Sequence, residues 1–142
     1  MSQMVFINLP VDDLSAATAF YEGVGFTKNP DFSDHTASCM VLSDTIFVML
    51  LTHEKFRQFT HREVADGHAA TSALYAISRD SREAVDAIMD AAAAHGGKEH
   101  RDTQDLGFMY GRAFEDPDGH VWEPFYMDMA AAEAAFEGQQ AA

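Results

Sequence analysis

From residue 5 to residue 11 apolar side chains occupy every second position: Val5, Ile7, Leu9 and Val11 alternate with Phe6, Asn8 and Pro10. A period of two predicts a strand whose two faces differ in character. Asp12 or Asp13 then offers an N-cap, and Leu14, Ala17, Tyr21 and Val24 share one helical stripe until Gly23 and Gly25 stop the helix. Beyond an irregular stretch around Pro30, two apolar runs at 36–42 and 45–51 flank Ser43-Asp44 and read as a hairpin with a tight turn. The first half of the chain reads βαβββ.

A polar segment, 52–70, breaks the pattern, after which the same order of elements begins again. Residues 72–77 read as a strand. Asp80 and Glu83 have capping-box spacing ahead of the stripe Val85, Ile88, Met89 and Ala92, and Gly96-Gly97 ends that helix. A short strand is expected near 98–101. Residues 108–115 and 120–127 then pair around Asp116-Pro117-Asp118-Gly119, where Pro at the second position and Gly at the fourth suit a type I turn. The second half also reads βαβββ, and an offset of about 66 residues superposes Leu9 and Val11 on Tyr75 and Ile77. Each copy alone is too small for a core, so a single domain over 1–142 is expected: module one 4–51, connector 52–70, module two 71–128, and an Ala-rich C-terminal helix at 129–142. The fold class is α+β.

Composition narrows the function. A chain of 142 residues with 47% hydrophobic side chains can bury one core and is not intrinsically disordered. Its formal charge of -14 counts against nucleic acid and against an anionic membrane surface as partners, because both are bound through clustered Lys and Arg. No apolar run approaches the ~20 residues of a membrane span. The start, MSQMVFINLP, has no basic region of the kind that opens a signal peptide, so a cytoplasmic location is expected. The single cysteine, Cys39, excludes an internal disulfide and a Cys-based zinc site. No two of the seven histidines stand at i,i+4, and the sequence has no Gly-rich phosphate loop or nucleophile elbow.

The segments VDDLSAATAFYEGVGF and GRAFEDPDGHVWEPF, set in two βαβββ modules, resemble the vicinal oxygen chelate superfamily of glyoxalase I, fosfomycin-resistance enzymes, extradiol dioxygenases and bleomycin-resistance proteins. The resemblance covers about 4–128. The strings FINLPVDDL, MLLTHEKF and GFMYGRAFEDPDGHVWE are similar to a bacterial branch described as predicted lactoylglutathione lyases. The resemblance implies a glyoxalase-like fold: the modules form a curled mixed sheet, each a cup, with metal ligands, where present, on the first and last strands of both modules. In this chain those positions fall on Phe6, Met49, Ser72 (or Leu74 in a shifted register) and Glu123. A catalytic cation typically needs about three protein ligands, so neither a metal nor another cofactor is expected.

If residues 116–119 form the whole loop, Arg112 stands directly across from Glu123, and Tyr110 across from Phe125. By the repeat, Phe6, Asn8, Phe47, Met49 and Leu51 line the matching face of module one. The candidate ligand-binding residues are therefore Phe6, Asn8, Phe47, Met49, Tyr110, Arg112 and Phe125, with Glu123 the candidate catalytic carboxylate. The bland alternatives are core filling by Phe6 and Met49 and a purely structural Arg112–Glu123 pair. The expected function is metal-independent binding of a small amphipathic molecule in an apolar cup, in the manner of bleomycin-resistance proteins. A homodimer is expected, because the resemblance implies binding between subunits. The alternative is a metal-dependent lyase or isomerase of glyoxalase type.

Overall fold

The computed structural model of the chain describes residues 2–141. Module one consists of β1 (Val5–Val11), α1 (Leu14–Gly23), β2 (Thr27–Asn29), β3 (Ala37–Val41) and β4 (Ile46–Thr52). A single helical turn, α2 (His53–Phe56), opens the connector. Module two follows with β5 (Leu74–Ser78), α3 (Arg82–Ala94), β6 (Lys98–Asp105), β7 (Met109–Glu115) and β8 (Val121–Met127), and α4 (Met129–Ala141) ends the chain. The strands form two four-stranded mixed sheets in the matching orders β1-β4-β3-β2 and β5-β8-β7-β6, with the first strand of each module at an edge and parallel to its last. No helix among the described residues is long and apolar enough to cross a membrane.

Local chemistry accounts for most boundaries. Asp13 caps α1 by accepting from the Ala16 backbone N–H at 3.0 Å. Ser81, one residue after the expected Asp80, caps α3 by accepting from Ala84 N–H at 3.0 Å. The stretch around Pro30 holds the short β2 and a 3-10 turn at Pro30–Phe32, and β6 runs past its expected end to Asp105.

The hairpin loop of module one is one residue longer than its sequence suggests, and that of module two is one residue shorter. In module one Leu42 N–H donates to Ile46 O at 3.0 Å, so residues 43–45 form the loop. In module two Gly119 N–H bonds Asp116 O at 3.0 Å, closing the expected type I turn, while Asp116 N–H bonds His120 O at 2.9 Å. Gly119 then stands at φ +86°, outside the ladder, as the bulge residue of a three-residue hairpin loop. A one-residue slip moves every side chain of a strand to the other face. The ladder accordingly pairs Gly111 with Phe125 and Phe114 with Trp122, which puts Arg112 across from Pro124 and not Glu123.

The core lies where the helix-facing sides of both sheets meet α1 and α3. Leu9, Met40, Val48 and Leu50 supply module one's share; Ile77, Phe114 and Trp122 supply module two's. Phe20 and Tyr21 of α1 reach across, with ring centroids 6.1 Å from Phe114 and 6.0 Å from Trp122. Fully burying a side chain such as Phe20 contributes about 1.5–3 kcal/mol, and the two modules share that burial across their boundary. The opposite faces of the two sheets are left to form the site.

Candidate functional site

The face of module one turned away from the helices is built by alternation. Parallel pairing sets Phe6 beside Phe47 and Asn8 beside Met49, so these four side chains share one side of the sheet. The Phe6 and Phe47 rings stack at 4.5 Å with planes 8° apart, and Phe6 remains 46% exposed at the sheet edge. Asn8 donates through Nδ2 to the Phe6 carbonyl at 3.2 Å. Cys39 pairs with Met49 on the same face and is buried.

In module two the corresponding face carries Glu123, Phe125 and Met127 of β8, with Ala76 beside them on β5 and Gly111 on β7. These residues border a cavity of about 250 Å³. Its polar groups are Glu123, Gln104 and Arg101. Arg101 reaches from β6 past the small residues of β7 and donates from Nη2 to Glu123 Oε2 at 3.0 Å. It stands between two irregularities in the β6–β7 ladder; irregularities of this kind re-aim side chains and cluster near functional sites. Arg101 and Gln104 were missed because those irregularities break the period of two that would have assigned their faces.

Arg112 and Tyr110 are taken off this face by the shorter loop. Both project toward α3, where Tyr110 Oη donates to Asp86 Oδ1 at 2.6 Å and Arg112 Nη1 donates to the same oxygen at 2.9 Å. Arg112 Nη2 also pairs with Glu99. The Tyr110 hydrogen bond, aided by Arg112, holds the Asp86 carboxyl below its usual range. Arg112 thus pins α3 to β7 and makes no ion pair with Glu123. Phe6, Asn8, Phe47 and Met49 thus lie on one face of the module-one sheet, and Glu123 and Phe125 on the corresponding face of module two, where Arg101 joins them; Tyr110 and Arg112 lie on the opposite side, against α3.

The donor set does not fit a catalytic cation. Of the implied positions Phe6, Met49, Ser72 or Leu74, and Glu123, one supplies a carboxylate, and Arg101 occupies one of its oxygens. Among the described residues no group of three His, Cys, Asp or Glu side chains is placed to hold a metal ion.

A second cavity, of about 300 Å³, lies where the connector crosses between the modules, with Asn8, Phe56, Tyr75 and His120 on its wall. The His120 ring lies 2.8 Å from Pro10 O, and Asp12 N–H donates to Asp118 Oδ1 at 2.9 Å, so the β7–β8 turn is tied to the end of β1.

Comparison with known proteins agrees with this architecture. No curated protein matches the chain. Among solved structures, a hypothetical protein from S. aureus superposes with a TM-score of 0.74 at 21% identity, over 89% of this chain and 94% of its own. A glyoxalase/bleomycin resistance protein/dioxygenase family enzyme from Burkholderia phytofirmans PsJN gives 0.73 at 20% identity, over 89% and 99%. The fosfomycin resistance protein FosX from Mesorhizobium loti gives 0.65 at 17%, over 89% and 92%. At these identities the likeness is one of fold. Residues 3–123 match the family model of the Glyoxalase/Bleomycin resistance protein/Dioxygenase superfamily, and the chain therefore belongs to that superfamily.

Proposed function

We propose that the protein binds a small amphipathic molecule in the apolar cup, without a metal ion, and that a second copy of the chain completes the cup. The observation that carries this reading is the pairing of Glu123 with Arg101 at a cavity whose other lining, Gln104 apart, is Met109, Phe125, Met127 and small residues. A carboxylate held by a guanidinium is a poor ligand for a divalent cation, and a glyoxalase-type step needs both a base for the C–H proton and a metal for the enediolate oxygens. The homodimer is supported by one edge strand of each sheet. Among the described residues β1 and β5 are unpaired on their outer sides, and Phe6 and Leu74 are 46% and 54% exposed there. Exposed apolar edges of this kind recruit further strands.

Melting temperature with EDTA and with added Ni²⁺, Zn²⁺, Fe²⁺ or Mn²⁺ tests the metal-free reading. No shift is expected; a rise of several degrees with one ion would overturn it, since binding to the native state stabilises by mass action. Sedimentation equilibrium tests the dimer: two copies are expected for the native chain and one for Phe6→Lys. A native monomer would overturn the shared cup.

A further inference from the structure

The half-used Arg101–Glu123 pair carries a statement about the class of ligand, and it rests on the reading of the cup as a small-molecule site. Their contact is a single hydrogen bond, Nη2 to Oε2 at 3.0 Å. Arg101 Nη1 donates to the Asp102 carbonyl at 3.2 Å, and among the described residues Glu123 Oε1 has no donor. A guanidinium has five N–H donors and a carboxylate about four acceptor sites, so both partners keep capacity to spare. Their side chains are 36% and 22% exposed, and both border the cavity of about 250 Å³. The rest of that cavity is nearly all apolar or small: Ala76, Met109, Gly111, Phe125 and Met127, with Gln104 as the remaining polar side chain.

We infer that the cup selects a ligand whose head is neutral overall but presents a hydrogen-bond acceptor beside a donor, on an apolar tail about the size of a phenyl group. An α-amino acid zwitterion and a primary carboxamide both have this chemistry. The acceptor meets the spare N–H groups of Arg101, and the donor meets Glu123 Oε1. The pair is already neutral, so a ligand with a net charge leaves one charge uncompensated against Phe125 and the methionines, which is costly in an apolar setting. The chain's net charge of -14 disfavours anions further. Size sets the tail: a cavity of about 150 Å³ accommodates benzene, and the space here holds a ring of that size with a short head.

Titration calorimetry with five probes sharing a phenyl tail tests this. They are L-phenylalanine, 3-phenylpropanamide, 3-phenylpropanoate, phenethylamine and 2-phenylethanol. The zwitterion, the amide or both should bind at least about tenfold more tightly than the anion and the cation, the loss expected when a hydrogen bond to a charged group is missing. The two arms separate an amino acid head from an amide head. Arg101→Gln and Glu123→Gln, each checked for an unchanged circular dichroism spectrum and cooperative melting, should abolish that preference. If the anion or the cation binds as tightly as the neutral heads, or the preference survives both substitutions, the inference is wrong. Equal binding of all five probes overturns the ligand class and leaves the cup standing; no binding of any probe at millimolar concentration overturns both.

Discussion

Tyr21 on α1 donates a 2.6 Å hydrogen bond to Asp116 Oδ2 at the β7–β8 turn, across 95 residues of sequence. Trp122 Nε1 in turn donates to the Tyr21 hydroxyl at 2.9 Å, and Asp116 Oδ1 accepts from the backbone N–H groups of Asp118 and His120. All three side chains are buried. This relay joins module one to module two through buried polar groups. Removing the hydroxyl in Tyr21→Phe strands the Trp122 N–H and one Asp116 oxygen, and each buried orphan costs about 1–3 kcal/mol. Urea denaturation should show a loss of at least about 2 kcal/mol; a loss below about 0.5 kcal/mol would show that the relay contributes little.

Burial raises the Asp116 carboxyl above its usual value, outweighing the lowering by His120 and by the Tyr21 hydrogen bond. Between about pH 4 and that raised value the folded state binds more protons than the unfolded state, so this group's contribution to stability falls as pH rises. Asp105 acts in the opposite sense. Its hydrogen bonds from Arg82 bring it down to about 2, so its contribution is present above about pH 4 and lost as pH falls toward 2. Unfolding free energies of the native chain and Asp116→Asn from pH 4 to 8 separate the two. The native chain should lose stability relative to the variant as pH rises, and a relative gain would contradict the burial effect.

Arg112 and Glu123 share no partner, whereas Arg101 and Glu123 are bonded. Arg112→Met should destabilise by loosening α3 from β7, and combining it with Glu123→Gln should add without coupling, within about 0.5 kcal/mol. The Arg101→Met, Glu123→Gln cycle should show a coupling of about 0.5–1 kcal/mol, the value of a partly exposed pair. Coupling in the Arg112 cycle but not in the Arg101 cycle would mean that the β7–β8 ladder is one residue out of place.

Gly119 is constrained twice. Its φ of +86° disfavours any side chain, and an added Cβ would come within 2.5 Å of the Gly67 carbonyl carbon and 2.8 Å of His68 N. Gly107 has a similar φ of +83° with nothing within 4 Å of such a Cβ. Gly107→Ala should therefore cost only the backbone strain, about 1–2 kcal/mol, and Gly119→Ala distinctly more, with faster proteolysis of the connector. Equal losses would show that the connector does not rest on the turn.

The order of elements was legible in the sequence because its signals are local. The alternation in β1, the stripe from Val85 to Ala92, the capping residues and the Asp116-Pro117-Asp118-Gly119 turn each act within a few residues, and the repeat is a comparison of such local patterns. The same signals put Phe6, Asn8, Phe47 and Met49 on one face. The partner of Glu123 was not legible. It depends on whether Asp116 stays in the loop or pairs with His120 and joins the ladder, at a turn that packs against the Gly67 backbone. It depends equally on the irregularities flanking Arg101, which follow from how β6 meets β7 and which no period along the chain encodes. A sheet face is determined by a residue's own neighbours in sequence, but a cross-strand partner is determined by a count of residues through a turn, and contacts from elsewhere in the fold alter that count by one.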